Sequence, residues 1–250
     1  MIDFKIDKNV ILASLITGVY DVNRSETLKD DDFSVVEAWS ESVSNLKLQG
    51  IIFHNNFSEA TCKANESEFL RFVKVSYNAQ FNPNVFRYFV YNNFFKRNSH
   101  LLKNVFLTDV SDVIVLKNPF KEKLYLENKN TIFCGDESEI LDNDWMQKHS
   151  QHLRANIVDY ANYEAFYKNE TLLNCGIIGG NFSLMSIFID QLCTIHEHFN
   201  KDNITAYTGD MGAFNYLIRT KYNDKVIHGK PVNTVFKKYS EDASCWFKHK

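Results

Sequence analysis

The sequence predicts a single-domain α/β protein, with a mixed and mostly parallel central sheet between layers of helices. Short runs rich in β-branched residues recur along the chain, and segments with apolar residues at helical spacing lie between them. Several runs end in a glycine turn or in acids, where open α/β sheets form their ligand sites. The 250 residues include only 3 Pro and 9 Gly, so no Pro- or Gly-rich linker divides the chain. We expect one domain over residues 1–236 and a basic, aromatic tail over residues 237–250.

The composition excludes several classes of protein. Hydrophobic residues make up 44% and charged residues 24%, which is ordinary for a soluble globular protein. A net charge of −3 gives no support to a nucleic-acid-binding surface, so no nucleic-acid partner is expected. The 5 Cys are dispersed without a C-x-x-C pair, which is typical of reduced thiols in the cytoplasm. We find neither a signal-peptide pattern nor an apolar run of membrane-spanning length, and we expect a cytoplasmic location.

The first predicted strand, residues 9–16, runs into a turn that contains Gly18. A strand that ends in such a turn is a common place for a ligand in an open sheet, because glycine allows close approach of the backbone. Tyr20 follows the glycine and could stack on a base. Thr17, Gly18 and Tyr20 are therefore candidates for nucleotide binding, although the same pattern is common in α/β proteins generally.

Capping signals predict two helices in the first half of the chain. Asp30, Asp31 and Asp32 precede an amphipathic segment over residues 33–48, and they indicate a helix start rather than a metal site. Asn82 and Pro83 mark the start of a second helix.

Arg87 lies on that second helix. Its guanidinium suits a phosphate or sugar contact, whereas a surface ion pair is the alternative.

The stretch over residues 104–115 carries the strongest indication of a site. A buried strand over residues 105–107 leads to Asp109 and Asp112, and a second β-branched run follows at once. Carboxylates at the end of a buried strand are costly unless they are paired. Mg²⁺ or Mn²⁺ is a suitable partner, since both take oxygen ligands and keep positions open for phosphate. A strand that ends in a solvated turn is the alternative.

Three further segments belong to the predicted sheet and helices. Residues 131–134 form a strand with acids at its end. Residues 172–181 form a glycine-rich strand whose last residue, Asn181, caps a helix. The small residues in this strand permit close approach of a ligand or of a packed helix. Asp210 is predicted to cap the next helix.

A last strand over residues 225–228 precedes a turn and then the tail. His228 is a candidate metal ligand and Lys230 a candidate phosphate contact, although each would more often be a surface residue. The tail mixes lysines with Trp246 and Phe247, which suits peripheral contact with a membrane surface. A solvated segment that packs one aromatic side chain is the alternative.

In this order, the features resemble the nucleotide-sugar glycosyltransferases of the GT-A fold, most nearly the retaining enzymes of family 8. The motifs are the glycine turn after the first strand, the arginine-bearing helix before the Asp-containing strand end, the Asn174-x-Gly176 strand, and the His-Gly-Lys-Pro segment at residues 228–231. The resemblance covers about residues 9–236 and rests on short motifs.

The resemblance implies transfer of a sugar, with retention, from a nucleotide diphosphate donor to a hydroxyl of a glycan or lipid-linked acceptor. A UDP-sugar is the favoured donor, and bacterial surface-polysaccharide synthesis is one setting for such an enzyme. The resemblance also implies that Asp109, Asp112 and His228 bind Mn²⁺ or Mg²⁺.

The resemblance assigns roles to further residues of this chain. Arg87 and Lys230 would contact the donor phosphates, and Arg87 also the donor sugar. Asn174 and Asp210 would lie beside the donor sugar and the acceptor. These three residues, Arg87, Asn174 and Asp210, are the catalytic candidates.

Two departures from the family pattern leave other interpretations open. The acids here are spaced Asp-x-x-Asp instead of Asp-x-Asp, so that Ser111 or a water could replace one ligand. Met211 stands where the family usually has Gln. A haloacid-dehalogenase-like phosphatase is one alternative, but Ser111 occupies the place of its second acid. A non-catalytic module that binds a sugar nucleotide or a glycan is the other.

Overall fold

A seven-stranded sheet organises the fold. The computed structural model describes residues 6–21, 26–203, 205, 207–238 and 240–250. The strands are β1 (Asn9–Leu15), β2 (Tyr20–Asp21), β3 (Glu26–Thr27), β4 (Gln49–His54), β5 (Leu70–Lys74), β6 (Asn104–Thr108), β7 (Val113–Val115), β8 (Ile132–Ile140), β9 (Thr171–Asn181), β10 (Val226–His228) and β11 (Phe247–His249). The helices are α1 (Ser34–Asn45), α2 (Glu59–Asn65), α3 (Pro83–Asn98), α4 (Lys123–Glu127), α5 (Asp144–His149), α6 (Gln151–Asn156), α7 (Tyr160–Tyr167), α8 (Phe182–Phe199) and α9 (Asp210–Lys221).

The central sheet has the order β10-β8-β9-β6-β1-β4-β5. The pairs β1–β4, β1–β6, β4–β5 and β8–β10 are parallel, and β9 runs antiparallel to both β6 and β8. The predicted α/β class with a mixed, mostly parallel sheet is therefore confirmed. A short hairpin of β2 and β3 and an antiparallel pair of β7 and β11 lie outside this sheet.

The alternation of side chains along β1 builds a core on each face of the sheet. Val10 and Leu12 belong to a cluster that includes apolar residues of α3, α8 and α9. Ile11 and Ala13 belong to a second cluster, to which α1, β7 and β11 contribute. Neighbouring residues of a strand point to opposite faces, so a continuous apolar run is what a strand covered on both sides requires.

The register of β9 against β6 determines which residues meet at the end of β6. Thr108 lies opposite Ile177, and because the strands are antiparallel, the residues before Ile177 extend past the end of β6. The Asp109 N–H accordingly donates to the Gly176 carbonyl at 2.7 Å. The acids after β6 and the first half of β9 thus share one edge of the sheet.

Most of the predicted helix starts agree with the structure. The Asn82 side chain accepts a hydrogen bond from the Asn84 N–H at 3.0 Å, and α3 begins at Pro83. Asn181 accepts from Ser183 at the start of α8. The prediction for Asp210 was wrong, because the N-cap of α9 is Gly209, with φ +72°, and Asp210 is the first helical residue. The Asp210 carboxylate accepts a hydrogen bond from Thr208 and lies 3.7 Å from Arg87.

The C-terminal segment packs into the protein. In β11, Phe247 pairs with Val115 and His249 with Val113. Trp246 and Phe247 are fully buried in the second core cluster, so these two aromatic side chains are not available to a membrane surface. The boundary between domain and tail at residue 236 stays a prediction. Among the described residues, no helix has the length and hydropathy needed to cross a membrane.

Candidate active site

A cleft of about 960 Å³ lies at the sheet edge where β1 and β6 end. Its walls come from the end of β1, the turn after β6, the first half of β9, the end of β8, the starts of α3 and α9, helix α5 and the segment over residues 236–238. Ligands of open α/β sheets bind at this edge, because the strands diverge there and their last side chains converge on one space. Besides the imidazole of His149, the ionisable side chains of the cleft are Arg87, Asp109, Asp112, Glu137, Glu139, Asp210, Lys237, Lys238 and Lys250.

Asp109, Asp112 and His249 form a cluster that could hold a metal ion. One ligand atom from each lies within 4.8 Å of the other two. The His249 Nε2 is 4.0 Å from a carboxylate oxygen of Asp109 and 3.9 Å from one of Asp112. These separations are too long for hydrogen bonds, yet they suit three ligands around one cation.

The state of His249 supports a role as a ligand. Its ring is 1% exposed, and neither ring nitrogen has a hydrogen-bond partner among the described residues. Burial, partly offset by the charge of Asp109, lowers the pKa of His249 to about 4. The ring is therefore neutral at pH 7, and a nitrogen lone pair is available for a cation. Two carboxylates and one imidazole fit a divalent ion such as Mn²⁺.

The C-terminal strand places this histidine. The antiparallel pairing of β11 with β7 sets His249 opposite Val113, the residue after Asp112. The Lys250 N–H donates to the Asp112 carbonyl at 2.9 Å, and the Phe236 ring lies 4.3 Å from the His249 ring. Sequence analysis missed His249, although the apolar residues just before it were a signal for a buried strand.

Gly176 leaves the room that the cluster needs. A Cβ at this position would lie 2.5 Å from the Asp109 Oδ2, 2.7 Å from the His249 Cε1 and 2.9 Å from the Asn174 Oδ1. Side chains of β9 therefore cannot extend here without displacing the candidate ligands.

A Gly176→Ala variant is expected to weaken Mn²⁺ binding about tenfold or more, since the methyl group would push Asp109 and His249 apart. Isothermal titration with Mn²⁺ measures the effect. Gly135→Ala serves as the matched control on β8, because a Cβ there would meet its nearest atoms at 3.4 Å. Equal Mn²⁺ affinity in both variants would contradict the placement of the cluster.

Arg87 connects the acids of the cleft. Its guanidinium donates to Asp109, to the Tyr88 hydroxyl at 3.2 Å and to the Cys175 carbonyl at 3.4 Å. It also lies 3.7 Å from the Asp210 Oδ2. Arg87 is buried, so these carboxylates offset the cost of removing its charge from water.

Asp210 lies deep in the cleft with few exposed atoms. The Thr208 hydroxyl donates to its Oδ1 at 2.6 Å. Burial raises the pKa of Asp210, but the Arg87 charge and the Thr208 hydrogen bond outweigh that effect and hold the pKa below its ordinary value. Asp210 is therefore an anion at pH 7. The neighbouring Met211, which departs from the family pattern, accepts the Cys175 N–H on its sulfur at 3.3 Å.

Asn174 and Glu137 form a hydrogen-bonded pair on the adjoining strands β9 and β8. The Asn174 Nδ2 donates to the Glu137 Oε1 at 2.8 Å, and its Oδ1 accepts the Gly176 N–H at 2.7 Å. Burial raises the pKa of Glu137, with the Asn174 bond acting in the opposite direction. Sequence analysis noted acids at the end of this strand but did not select Glu137.

The predicted metal ligand His228 and the predicted phosphate contact Lys230 are not part of the cluster of Asp109, Asp112 and His249. The His228 Nδ1 is 3.0 Å from Asp136 on the adjacent strand, and the Lys230 Nζ is 2.5 Å from Asp242. Neither residue is among the described residues that line the cleft. The structure thus brings Asp109 and Asp112 together with His249 but does not bring His228 to them.

The predicted nucleotide-binding turn is held by its own hydrogen bonds. The Thr17 N–H donates to Asn55 and its hydroxyl to Asp30, and Thr17 is buried. Gly18 has φ +74°, and Tyr20 is 57% exposed. The described cleft is lined on this side by Ser14, Leu15 and Ile16 rather than by these three residues.

Three lysines add positive charge to the cleft that the acids line. Lys237, Lys238 and Lys250 line it, and all three belong to the segment that the composition assigned to a membrane contact. The sequence therefore showed that this segment is basic, but it did not show that the lysines line the cleft.

Comparisons with known proteins identify the fold. No family model matches the chain, and no curated protein matches it. Among solved structures, the chain is similar to the galactosyltransferase LgtC, whose crystal structure was determined in complex with donor and acceptor sugar analogues. The similarity has a TM-score of 0.51 at 13% sequence identity and covers 96% of this chain and 86% of LgtC. The chain therefore has the Rossmann-like GT-A fold that the sequence motifs predicted.

Proposed function

We propose that this protein is a divalent-metal-dependent glycosyltransferase that transfers a sugar from a nucleotide diphosphate donor to a hydroxyl of a glycan or lipid-linked acceptor. The observation that carries the proposal is the cluster of Asp109, Asp112 and His249, in which a buried neutral imidazole faces two carboxylates at the wall of an open cleft. The GT-A fold, which LgtC shares, supports the same class of reaction.

In this proposal, Mn²⁺ or Mg²⁺ is held by Asp109, Asp112 and His249. Oxygen-rich ligand sets suit these ions, and a site on the wall of a cleft leaves coordination positions for phosphate. When bound, the cation would neutralise the charge that develops on the leaving diphosphate. His249 takes the place that sequence analysis assigned to His228.

The cleft lysines take the role that sequence analysis assigned to Lys230. Lys237, Lys238 and Lys250 line the same cleft as the candidate ligands, whereas Lys230 is paired with Asp242. A lysine ammonium binds phosphate as a point charge, and three of them suit a diphosphate. A UDP-sugar is the favoured donor.

Four side chains surround the space for the donor sugar. Arg87, Asn174 and Asp210 are the predicted residues, and Glu137 joins them through its hydrogen bond with Asn174. Breaking the anomeric bond leaves its electron pair on the diphosphate and positive charge on the sugar. The anionic Asp210 would stabilise that positive charge. We propose retention of configuration and name no covalent nucleophile.

The proposal is tested by titrating UDP and GDP into the protein with Mn²⁺ and with EDTA. We expect UDP binding that requires Mn²⁺ and weakens at least about tenfold in Asp109→Asn, because that variant removes one ligand charge. Asp136→Asn is the matched control, since Asp136 pairs with His228 outside the cleft lining. Failure of every nucleotide diphosphate to bind would contradict the proposal.

The same protein preparation also distinguishes a glycosyltransferase from the two alternative functions. Metal-dependent donor binding without turnover of the UDP-sugar would indicate a non-catalytic binding module. Phosphate release from a phosphomonoester without nucleotide binding would indicate a phosphatase.

A peripheral membrane contact through residues 237–250 is a separate proposal. It would be contradicted if the intact protein and a Lys237→Gln/Lys238→Gln variant partitioned equally into anionic vesicles.

A further inference from the structure

An aromatic shelf, made of Trp145, His149 and Tyr207, lies in the wall of the cleft. The Trp145 and His149 rings stack with centroids 3.6 Å apart at an interplanar angle of 24°. The Tyr207 ring meets His149 edge-on at 5.5 Å. His149 is buried, whereas Trp145 and Tyr207 face the solvent.

The two outer rings of the shelf are unusually exposed. Trp145 is 42% and Tyr207 38% exposed, whereas Trp39 and Trp246 are fully buried. Large aromatic side chains on the wall of a cleft are costly to leave in water, and such residues are enriched where a ligand with an apolar face binds. Trp145 and His149 lie four residues apart on α5, which places them on one face of the helix.

Side chains that accept hydrogen bonds line the same cleft, and they come just before the shelf residues of α5 in the sequence. Glu137, Ser138 and Glu139 belong to the end of β8, just before α5. The Asn143 side chain ties the two elements together, because it donates to the Ile140 carbonyl at 2.7 Å and accepts from the Met146 N–H at 2.9 Å. The cleft therefore offers both the aromatic faces of the shelf and carboxylates that accept hydrogen bonds from hydroxyl groups.

The shelf is also connected to the reaction centre of the proposed function. Tyr207 precedes Thr208, whose hydroxyl donates to Asp210 at 2.6 Å. His149 and Asp210 both line the cleft. A ring placed on the shelf would lie beside the space that the proposed function gives to the donor sugar.

We propose that the aromatic shelf binds a pyranose ring of a carbohydrate acceptor. This inference rests on the proposed function and names the class of its acceptor. A pyranose has a face of C–H groups that packs on an aromatic ring and a rim of hydroxyls that donate to carboxylates.

Tryptophan fluorescence tests the inference directly. Of the 3 Trp in the chain, Trp145 is the exposed one, so a ligand on the shelf changes its emission and its quenching by iodide. The probes are lactose, maltose, cellobiose and the methyl glycosides of common hexoses. We expect a saturable change with at least one probe and about tenfold weaker binding in Tyr207→Ala, which keeps the reporter.

Phe166→Ala is the matched control, because Phe166 is 80% exposed and is not among the described residues that line the cleft. It should bind the saccharide as the unmodified protein does. The inference is overturned if no probe changes the Trp145 signal, or if Tyr207→Ala and Phe166→Ala bind equally well.

A parallel titration with UDP and Mn²⁺ separates this inference from the proposed function. Because Trp145→Ala lacks the fluorescent reporter, isothermal titration measures both ligands in this variant. We expect it to bind UDP within about twofold of the unmodified protein while it loses saccharide affinity at least about tenfold. Loss of UDP affinity in Trp145→Ala, or competition between UDP and the saccharide, would assign the shelf to the nucleobase and overturn the inference. Saccharide binding without any nucleotide binding would contradict the proposed function alone.

Discussion

Replacing His249 with alanine is expected to weaken Mn²⁺ binding about 100-fold or more, whereas the same change at His228 should alter it less than about twofold. His249 faces Asp109 and Asp112 with a neutral ring whose nitrogens have no partner among the described residues. His228 instead lies 3.0 Å from Asp136. The two variants remove the same chemical group from one protein, so their comparison tests which histidine contributes to the metal site.

Isothermal titration or Mn²⁺ electron paramagnetic resonance measures the affinity without any donor or acceptor. His249 is buried beside Phe236, so His249→Gln should accompany His249→Ala to limit the cavity left in the core. Thermal unfolding of both variants shows that they are folded. A larger loss of Mn²⁺ affinity in His228→Ala than in His249→Ala would indicate that His228 is the third metal ligand, as the sequence motifs predicted.

An Arg87→Met variant is expected to lose about 3–5 kcal/mol of unfolding free energy at pH 7, because it leaves buried charge without its partner. Arg87 contacts Asp109 and lies 3.7 Å from Asp210. An exposed pair provides the contrast. Lys63 bridges Glu59 at 2.7 Å with both side chains mostly in water, so Lys63→Met should lose far less unfolding free energy than Arg87→Met. Urea unfolding measures both free energies.

The loss of unfolding free energy in Arg87→Met should depend on pH, in a direction that follows from the pKa of Asp210. With Arg87 present, the pKa of Asp210 in the folded protein lies below its ordinary value of 3.8, so its contribution to stability exists above pH 3.8 and is lost as the pH falls below it. Without Arg87, burial dominates and raises this pKa. The folded variant then loses stability as the pH rises above 3.8.

The free-energy difference between Arg87→Met and the unmodified protein should therefore be largest near pH 7 and smaller near pH 4. The double variant Arg87→Met/Asp210→Asn removes the buried charge together with its partner. It should be more stable at pH 7 than Arg87→Met alone. A pH-independent difference, or a double variant no more stable than the single one, would show that Arg87 stabilises the fold through packing alone.

Local patterns in the sequence determined the fold class and much of the secondary structure. The buried run of β1 and the Asn-Pro start of α3 follow from interactions between residues near one another in the chain. Asp109 and Asp112 stood out for a similar reason, since acids at the end of a buried strand need a partner nearby. The motifs also indicated the GT-A fold that the comparison with LgtC supports.

Long-range pairing decided which side chains meet in the cleft. His249 reaches Asp112 because β11 pairs with β7, and Gly176 reaches Asp109 through the antiparallel register of β9 on β6. Two residues of the aromatic shelf, Trp145 and His149, lie on α5, which the sequence analysis did not single out. A local pattern specifies which residues are buried or helical, but a strand can pair with partners anywhere in the chain. The sequence by itself therefore determined the scaffold and one pair of acids, and only the tertiary structure decided their third partner.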